Sequence, residues 1–359
     1  MRPHLLVEIS AHGFGHLAQT APVINALFQR LPDLRLTLRG GLPESVLRTR
    51  LTAPFHWLPH NGDIGMRMAS ALAVRAEASQ SAYREFHADW TAKVTRETRI
   101  LQELAPDLIL SNIPYLILAA AAQAQIPTVA LSSLNWAAIY HHYCGRLPGA
   151  EVIHGQMLSA YRTVQAFLRI EPALPMPNLE QCRTVGPIAA LGCNRRGELC
   201  RVLQIDPAEH IMLVALGGID TELPLDQWPA IPGVRWLVPN SWGSRRADIT
   251  PFDDLPMPFL DVLASTDAVL TKPGYGTFVE AACNGIPVLS IRRPDWPETP
   301  HLTHWLKTHG ILVEIDQKQI LAGDIEQPLA NVFARPRPAR VTPCGVEKAA
   351  QWLASMLTP

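Results

Sequence analysis

Two short turns carry the residues best able to do chemistry. Ala11-His12-Gly13-Phe14-Gly15-His16 closes one apolar run, and Lys272-Pro273-Gly274-Tyr275-Gly276-Thr277 closes another. In the first, the neutral imidazole of His16, whose ordinary pKa is about 6.5, can take a proton from a hydroxyl at neutral pH. In the second, Gly274 and Gly276 let the backbone approach a ligand closely. A helix starting near Thr277 then points free N–H groups and the positive end of its dipole at a phosphate or pyrophosphate. Lys272, one of only five lysines in the chain, adds a charge just upstream. Gly217-Gly218 forms a further glycine turn after the apolar run Ile211 to Leu216.

Each turn also has a plainer reading. Thr277-x-x-Glu280 fits a capping box that only satisfies the helix's own N–H groups, and Asn284-Gly285-x-Pro287 is an ordinary helix stop. Gly13-x-Gly15-x-x-Ala18 fits the dinucleotide-binding fingerprint, although the acidic residue usual about 20 positions on is missing. Arg39 at that place suits a 2′-phosphate, so an NADP-dependent oxidoreductase is the first alternative. It leaves the Lys272–Thr277 turn unexplained. There is no D-x-D, P-loop or G-x-S-x-G, and His141-His142 with Cys144 is too compact for zinc. No metal and no cofactor are therefore expected.

The elements that must hold these turns alternate strand and helix. Leu5 to Ile9, Leu34 to Leu38, Asp107 to Leu110 and Pro127 to Leu131 read as strands, with a helix after His16 that Pro22 kinks or delimits. Residues 66 to 104 read as one long helical tract, whose Ala- and Met-rich start, Met66 to Ala78, is expected to face an acceptor. Four prolines between Ile170 and Pro187 suit a linker. The rhythm then restarts with strands Ile211 to Leu216, Val234 to Val238, Ala268 to Thr271 and Pro287 to Ile291. Trp242 can stack on a base or fill a domain face. A closing helix, Val346 to Leu357, puts Val346, Ala349, Ala350, Leu353 and Leu357 on one side. The fold class is α/β, two Rossmann-like doubly wound domains: 1–170, a linker 171–187, 188–341, and a helix in 342–359 packing back on the first domain.

Composition agrees with this. A chain of 359 residues with 48% hydrophobic and 18% charged residues has core material for about two domains and excludes disorder. The balance of 31 basic against 32 acidic residues gives no nucleic-acid footprint. Six cysteines without C-x-x-C spacing read as free thiols of a cytoplasmic protein. The longest apolar run, Ile113 to Ala122, is half of the roughly 20 residues a membrane span needs, which leaves only peripheral membrane contact open.

The second turn and its helix resemble the C-terminal signature of GT-B nucleotide-sugar glycosyltransferases, a superfamily that includes the lipid II N-acetylglucosaminyltransferase and the UDP-glucuronosyltransferase-like enzymes. The resemblance implies two domains facing a cleft. It implies that Gly274, Tyr275, Gly276 and Thr277, with Lys272 and the Gly217-Gly218 turn, hold a donor diphosphate, and that Glu280 binds the ribose. The first turn is similar to that superfamily's N-terminal turn, which implies His16 as general base and His12, Gly13, Phe14, Gly15 and Trp136 as acceptor-side residues. Ser111-Asn112-Ile113-Pro114-Tyr115 and Val129 to Tyr140 resemble the glycosyltransferase-like N-terminal half of L-arabinokinases.

The sequence departs from those patterns in three places. Asn112 stands where many members place the Asp that holds the base; it can orient an imidazole but cannot stabilise an imidazolium as a carboxylate does. Ala137 follows Trp136 where the arabinokinase-like group has Asp. In the loop after Ile291, Glu298 and then Asp295 are the carboxylates for donor-sugar hydroxyls, without the adjacent Gln. The expected reaction is metal-independent, inverting transfer of a sugar from a nucleoside-diphosphate donor to an unknown hydroxyl acceptor. The further alternative is a catalytically inactive nucleotide-sugar-binding protein.

Overall fold

A computed structural model describes residues 2–218, 221–243 and 246–358. In chain order the first part contains β1 (His4–Ile9), α1 (Gly15–Arg30), β2 (Arg35–Gly40), α2 (Glu44–Arg48), β3 (His56–Pro59), β4 (Met68–Ser70), β5 (Ala73–Val74), α3 (Ala76–His87), α4 (Trp90–Leu104), β6 (Leu108–Asn112), α5 (Leu116–Ala124), β7 (Thr128–Ser132), α6 (Trp136–Cys144), α7 (Ala150–Tyr161), β8 (Ala166–Ile170) and β9 (Cys182–Gly186). The rest contains α8 (Arg196–Leu203), β10 (His210–Val214), β11 (Val234–Val238), β12 (Ile249–Pro251), α9 (Phe259–Ser265), β13 (Ala268–Thr271), α10 (Tyr275–Asn284), β14 (Val288–Ile291), α11 (Thr299–His309), β15 (Leu312–Ile315), α12 (Gln317–Ala322), α13 (Glu326–Phe333) and α14 (Gly345–Leu357).

These elements form two compact units, one of residues 1–69, 73–188 and 344–359, the other of 70–72 and 189–343. The first is built on a seven-stranded sheet in the order β3-β2-β1-β6-β7-β8-β9, the second on a six-stranded sheet in the order β12-β11-β10-β13-β14-β15. Every pairing within them is parallel. The central strands are covered on both faces, so β1 and β6 are buried along their whole length and read as nearly continuous apolar runs. In each sheet the strand order reverses between the first strand and the fourth, and the crevice beyond the strand ends at that reversal is where doubly wound sheets bind ligands.

Three expectations change. Residues 68–74 are not helix but the two short strands β4 and β5, and the long helix is divided into α3 and α4. Ser70–Leu72 belong with the second unit, where Leu72 packs on its core and the Ala71 N–H donates to Thr221 Oγ1 at 2.7 Å. The expected linker contains β9, an edge strand on β8; its first three residues are half-buried or exposed, so no apolar pattern marked it. Pro22 sits inside α1 without ending it. The described chain has no helix long and apolar enough to cross a membrane.

α14 belongs to the first unit. It packs on α1 and β9 through the buried Gly345, Ala349, Ala350, Leu353 and Leu357, with Val346 only half-buried. Arg30 and Glu347 pair at 2.5 Å on the exposed side, an ion pair that contributes little in water.

Candidate functional site

At the reversal of the first sheet, β1 delivers the His12–His16 turn and β6 ends on Asn112. His16 enters α1 at its second residue and is 5% exposed, and Asn112 is fully buried. His16 Nδ1 lies 2.7 Å from Asn112 Oδ1. The Asn112 amide donates to Gln19 Oε1 at 3.1 Å, and the Gln19 amide donates to Ser133 Oγ at 3.0 Å. This chain fixes which face of Asn112 meets the histidine: an amide oxygen can only accept, so Nδ1 carries the hydrogen and Nε2 is left as the basic nitrogen. Burial pushes the His16 pKa down to about 4, against the opposing effect of the Asn112 hydrogen bond. The imidazole is thus neutral throughout the physiological range.

Trp136, at the start of α6, is buried with its ring 5.7 Å from that of His16 and 5.1 Å, edge-on, from that of His12. Its indole N–H donates to Asp63 Oδ2 at 2.7 Å. Burial raises the Asp63 carboxyl to about pH 6, opposed by hydrogen bonds from Ser10 and Trp136. Sequence reasoning missed both Asp63 and Gln19. Asp63 stands in the irregular segment after β3, where only the preceding Asn61-Gly62 hints at a turn, and Gln19 reads as a helix position like any other. His12 and Gly13 are half-buried, as is Gly15, whereas Phe14 is 45% exposed. Ala137 is buried within α6.

At the reversal of the second sheet, Gly217 follows β10 and Gly274 follows β13. Gly217 has φ +85, which glycine adopts without strain. Lys272 Nζ lies 3.5 Å from where a Cβ on Gly274 would stand and 3.9 Å from where one on Gly217 would. The ammonium therefore sits between the two glycine turns. Burial, then repulsion from Arg293, pushes its pKa down to about 8, while Glu298 pulls it back up. Gly218 is exposed, Tyr275 and Gly276 are buried and Thr277 is half-buried.

α10 begins at Tyr275 with Gly274 as its N-cap and has no side-chain cap. Thr277 therefore lies inside the helix, and the Thr277–Glu280 capping box does not form. A helix start of this kind, with a glycine N-cap, can turn its first-turn N–H groups towards an anion. Glu280 is buried one turn further on, and Asn284 donates to its backbone carbonyl. Gly285 ends α10 in the left-handed conformation, φ +71, as its position suggested. Glu298 is buried and accepts a long 3.4 Å hydrogen bond from Trp296, whose ring carries the Arg293 guanidinium at 4.2 Å. Asp295 is exposed. Trp242 fills the core of the second unit.

No family model matches the chain. It is 26% identical over 331 residues to an L-arabinokinase of Arabidopsis thaliana, covering 88% of this chain but only 30% of that relative's length. It is also 26% identical, over 96% of both chains, to the UDP-N-acetylglucosamine--N-acetylmuramyl-(pentapeptide) pyrophosphoryl-undecaprenol N-acetylglucosamine transferase of Thermus thermophilus. Among solved structures, the glycotransferase of kitacinnamycin superposes with a TM-score of 0.62 at 17% identity, covering 99% of this chain and 95% of that one. The fold is that of the GT-B glycosyltransferases.

The GT-B chain is thus similar to both groups that its motifs resemble, and the dinucleotide alternative loses its footing. Arg39 is 3% exposed, its Nη1 2.5 Å from Glu97 Oε1 and its Nε 3.5 Å from Glu8 Oε2. A guanidinium committed to two buried carboxylates cannot hold a 2′-phosphate. Burial, reinforced by Glu97 and opposed by Arg39, raises the Glu8 carboxyl to about pH 8. Its folded pKa lies above its unfolded one, so the folded protein holds the extra proton and Glu8 contributes stability at low pH that is lost as pH rises towards 8. Between pH 6.5 and 7.5 the wild-type unfolding free energy is expected to fall relative to Glu8→Gln by up to about 1.4 kcal/mol. Urea melts of both proteins in chelator-containing buffer check this, and parallel pH profiles contradict it.

Proposed function

We propose that the protein is a glycosyltransferase that moves a sugar from a nucleoside-diphosphate donor to a hydroxyl acceptor, with inversion and without a metal on the diphosphate, in the cytoplasm. The observation that carries this reading is the anchored His16, whose Nδ1 is tied to Asn112 at 2.7 Å and whose Nε2 is a neutral base at a ligand-binding reversal. His16 takes the proton of the acceptor hydroxyl, the acceptor oxygen bonds to the anomeric carbon, and the bond from that carbon to the diphosphate oxygen breaks. One displacement directed by one base inverts the anomeric centre. Lys272, with the Gly217-Gly218 turn and the α10 N-terminus through Gly274, Tyr275, Gly276 and Thr277, meets the charge of the departing diphosphate. Glu280 serves the ribose and Glu298 the sugar hydroxyls; Asp295, being exposed, is the weaker partner. His12, Gly13, Phe14, Gly15 and Trp136 line the acceptor side.

A thermal-shift screen with UDP, GDP, dTDP, ADP, NAD and NADP tests the donor half. One nucleoside diphosphate is expected to stabilise the protein, by about 2.7 kcal/mol at 100 times its dissociation constant. Lys272→Ala is expected to weaken that binding about 10- to 100-fold, the worth of one hydrogen bond to a charged group. Stabilisation by NADP alone contradicts the transferase reading. Asn112, in place of a carboxylate, favours a second reading of donor binding without turnover. That reading holds only if no acceptor and no donor hydrolysis are found.

A further inference from the structure

Behind the first turn, three residues converge that the proposed reaction does not use. Glu8 comes from β1, Glu97 from α4 and His60 from the segment after β3. Glu8 and Glu97 are 0% and 3% exposed. Arg39 occupies one side of the pair, through Glu8 Oε2 and Glu97 Oε1. On the other side, His60 Nε2 stands 3.7 Å from Glu8 Oε1 and 3.9 Å from Glu97 Oε2. Ligand-type atoms of all three residues lie within 4.8 Å of one another.

These distances are too long for hydrogen bonds, and Glu8 Oε1, Glu8 Oε2 and His60 Nε2 find no hydrogen-bond partner in the protein. A proton cannot bridge gaps of that length. A metal can: ligands about 2.0–2.2 Å from a tetrahedral Zn²⁺ stand about 3.3–3.6 Å apart. Gly62 keeps the Glu8 side clear, since a Cβ there would collide with Glu8 Oε1. An open pocket lined by Gly40, Gly41, Trp57, Pro59 and Asn61 reaches His60 from solvent, giving a path of entry and room for water to complete the coordination.

We propose that Glu8, His60 and Glu97 bind one divalent first-row cation, Zn²⁺ or a close relative, through one carboxylate oxygen of each glutamate and His60 Nε2. Arg39 balances the remaining carboxylate oxygens and so keeps the site from carrying two uncompensated charges. The cation ties the segment that carries Asp63 to β1 and α4. Its place is distinct from the donor turn, and the inference stands or falls apart from the transferase reading.

The test uses the full chain, stripped with chelator, loaded with Zn²⁺ or Co²⁺, desalted and assayed for metal content. About one equivalent is expected to stay bound, with a Co²⁺ d–d spectrum typical of nitrogen and oxygen ligands and a higher Tm in the loaded protein. His60→Ala, a change at a partly exposed side chain, is expected to weaken binding at least tenfold and abolish the Tm shift while circular dichroism stays unchanged. Glu97→Gln supplies a second variant, read in the same way if it folds. No retained metal in the wild type overturns the proposal. So does equal retention in His60→Ala, which would assign the metal to other histidines such as the stacked His141–His154 pair.

Discussion

Replacing His16 with alanine is expected to lower glycosyl transfer by about 10²- to 10⁴-fold, the usual contribution of a positioned general base, while nucleoside-diphosphate binding and thermal stability change little. The residues proposed to hold the donor belong to another unit, so affinity and turnover should separate: turnover collapses and donor Kd stays. Wild-type rates in His16→Ala, measured with the nucleotide sugar that the binding screen selects, contradict the mechanism. Asn112→Asp sharpens the same point. A carboxylate at that position stabilises the protonated imidazole, so the His16 pKa should rise from about 4 and an acid limb should enter the pH–rate profile near neutrality. His16 resonances followed by NMR against pH give the same information without turnover, and an unmoved titration in Asn112→Asp excludes direct coupling of the two side chains.

Arg39→Met is expected to destabilise the protein by about 3–5 kcal/mol, the effect of stranding buried charges when their partner is removed. The loss should shrink as pH falls through about 8, because Glu8 then takes up a proton and less buried charge is left without a partner. Adding Glu8→Gln and Glu97→Gln to Arg39→Met should recover much of the loss, since a neutral cluster needs no counter-ion. Urea unfolding at two pH values measures all of these. A loss under about 1 kcal/mol for Arg39→Met would mean the two carboxylates do not depend on the arginine.

The contrast between His16 and Arg39 shows what the sequence could disclose. His16, Gly274 and Lys272 lie in short turns between a strand and a helix, where neighbours in sequence are neighbours in space, and Asn112 is the last residue of a recognisable apolar strand. Both β-α rhythms were legible for the same reason, and strands such as Val234–Val238 and Ala268–Thr271 carry the expected bounds. The Arg39 cluster was invisible because its partners come from positions 8, 60 and 97, and one arginine in an apolar strand suggests a ligand as readily as an ion pair. Residues 68–74 misled because methionine, alanine and leucine favour helix while tertiary contact makes two short strands there. β9 hid because an edge strand has only one flank to bury, and its half-exposed Cys182, Arg183 and Thr184 lie among prolines.

α14 lies in the chain after all of residues 189–343 and yet belongs to the first unit. In topological terms the second unit is an insertion within the first. During synthesis, the six-stranded sheet therefore has its whole sequence available while the seven-stranded sheet still lacks the helix that covers α1. The usual order, in which the N-terminal domain matures first, is expected to be reversed here. A ribosome stalled before residue 345 would display a protease-resistant second unit joined to an unsealed first one.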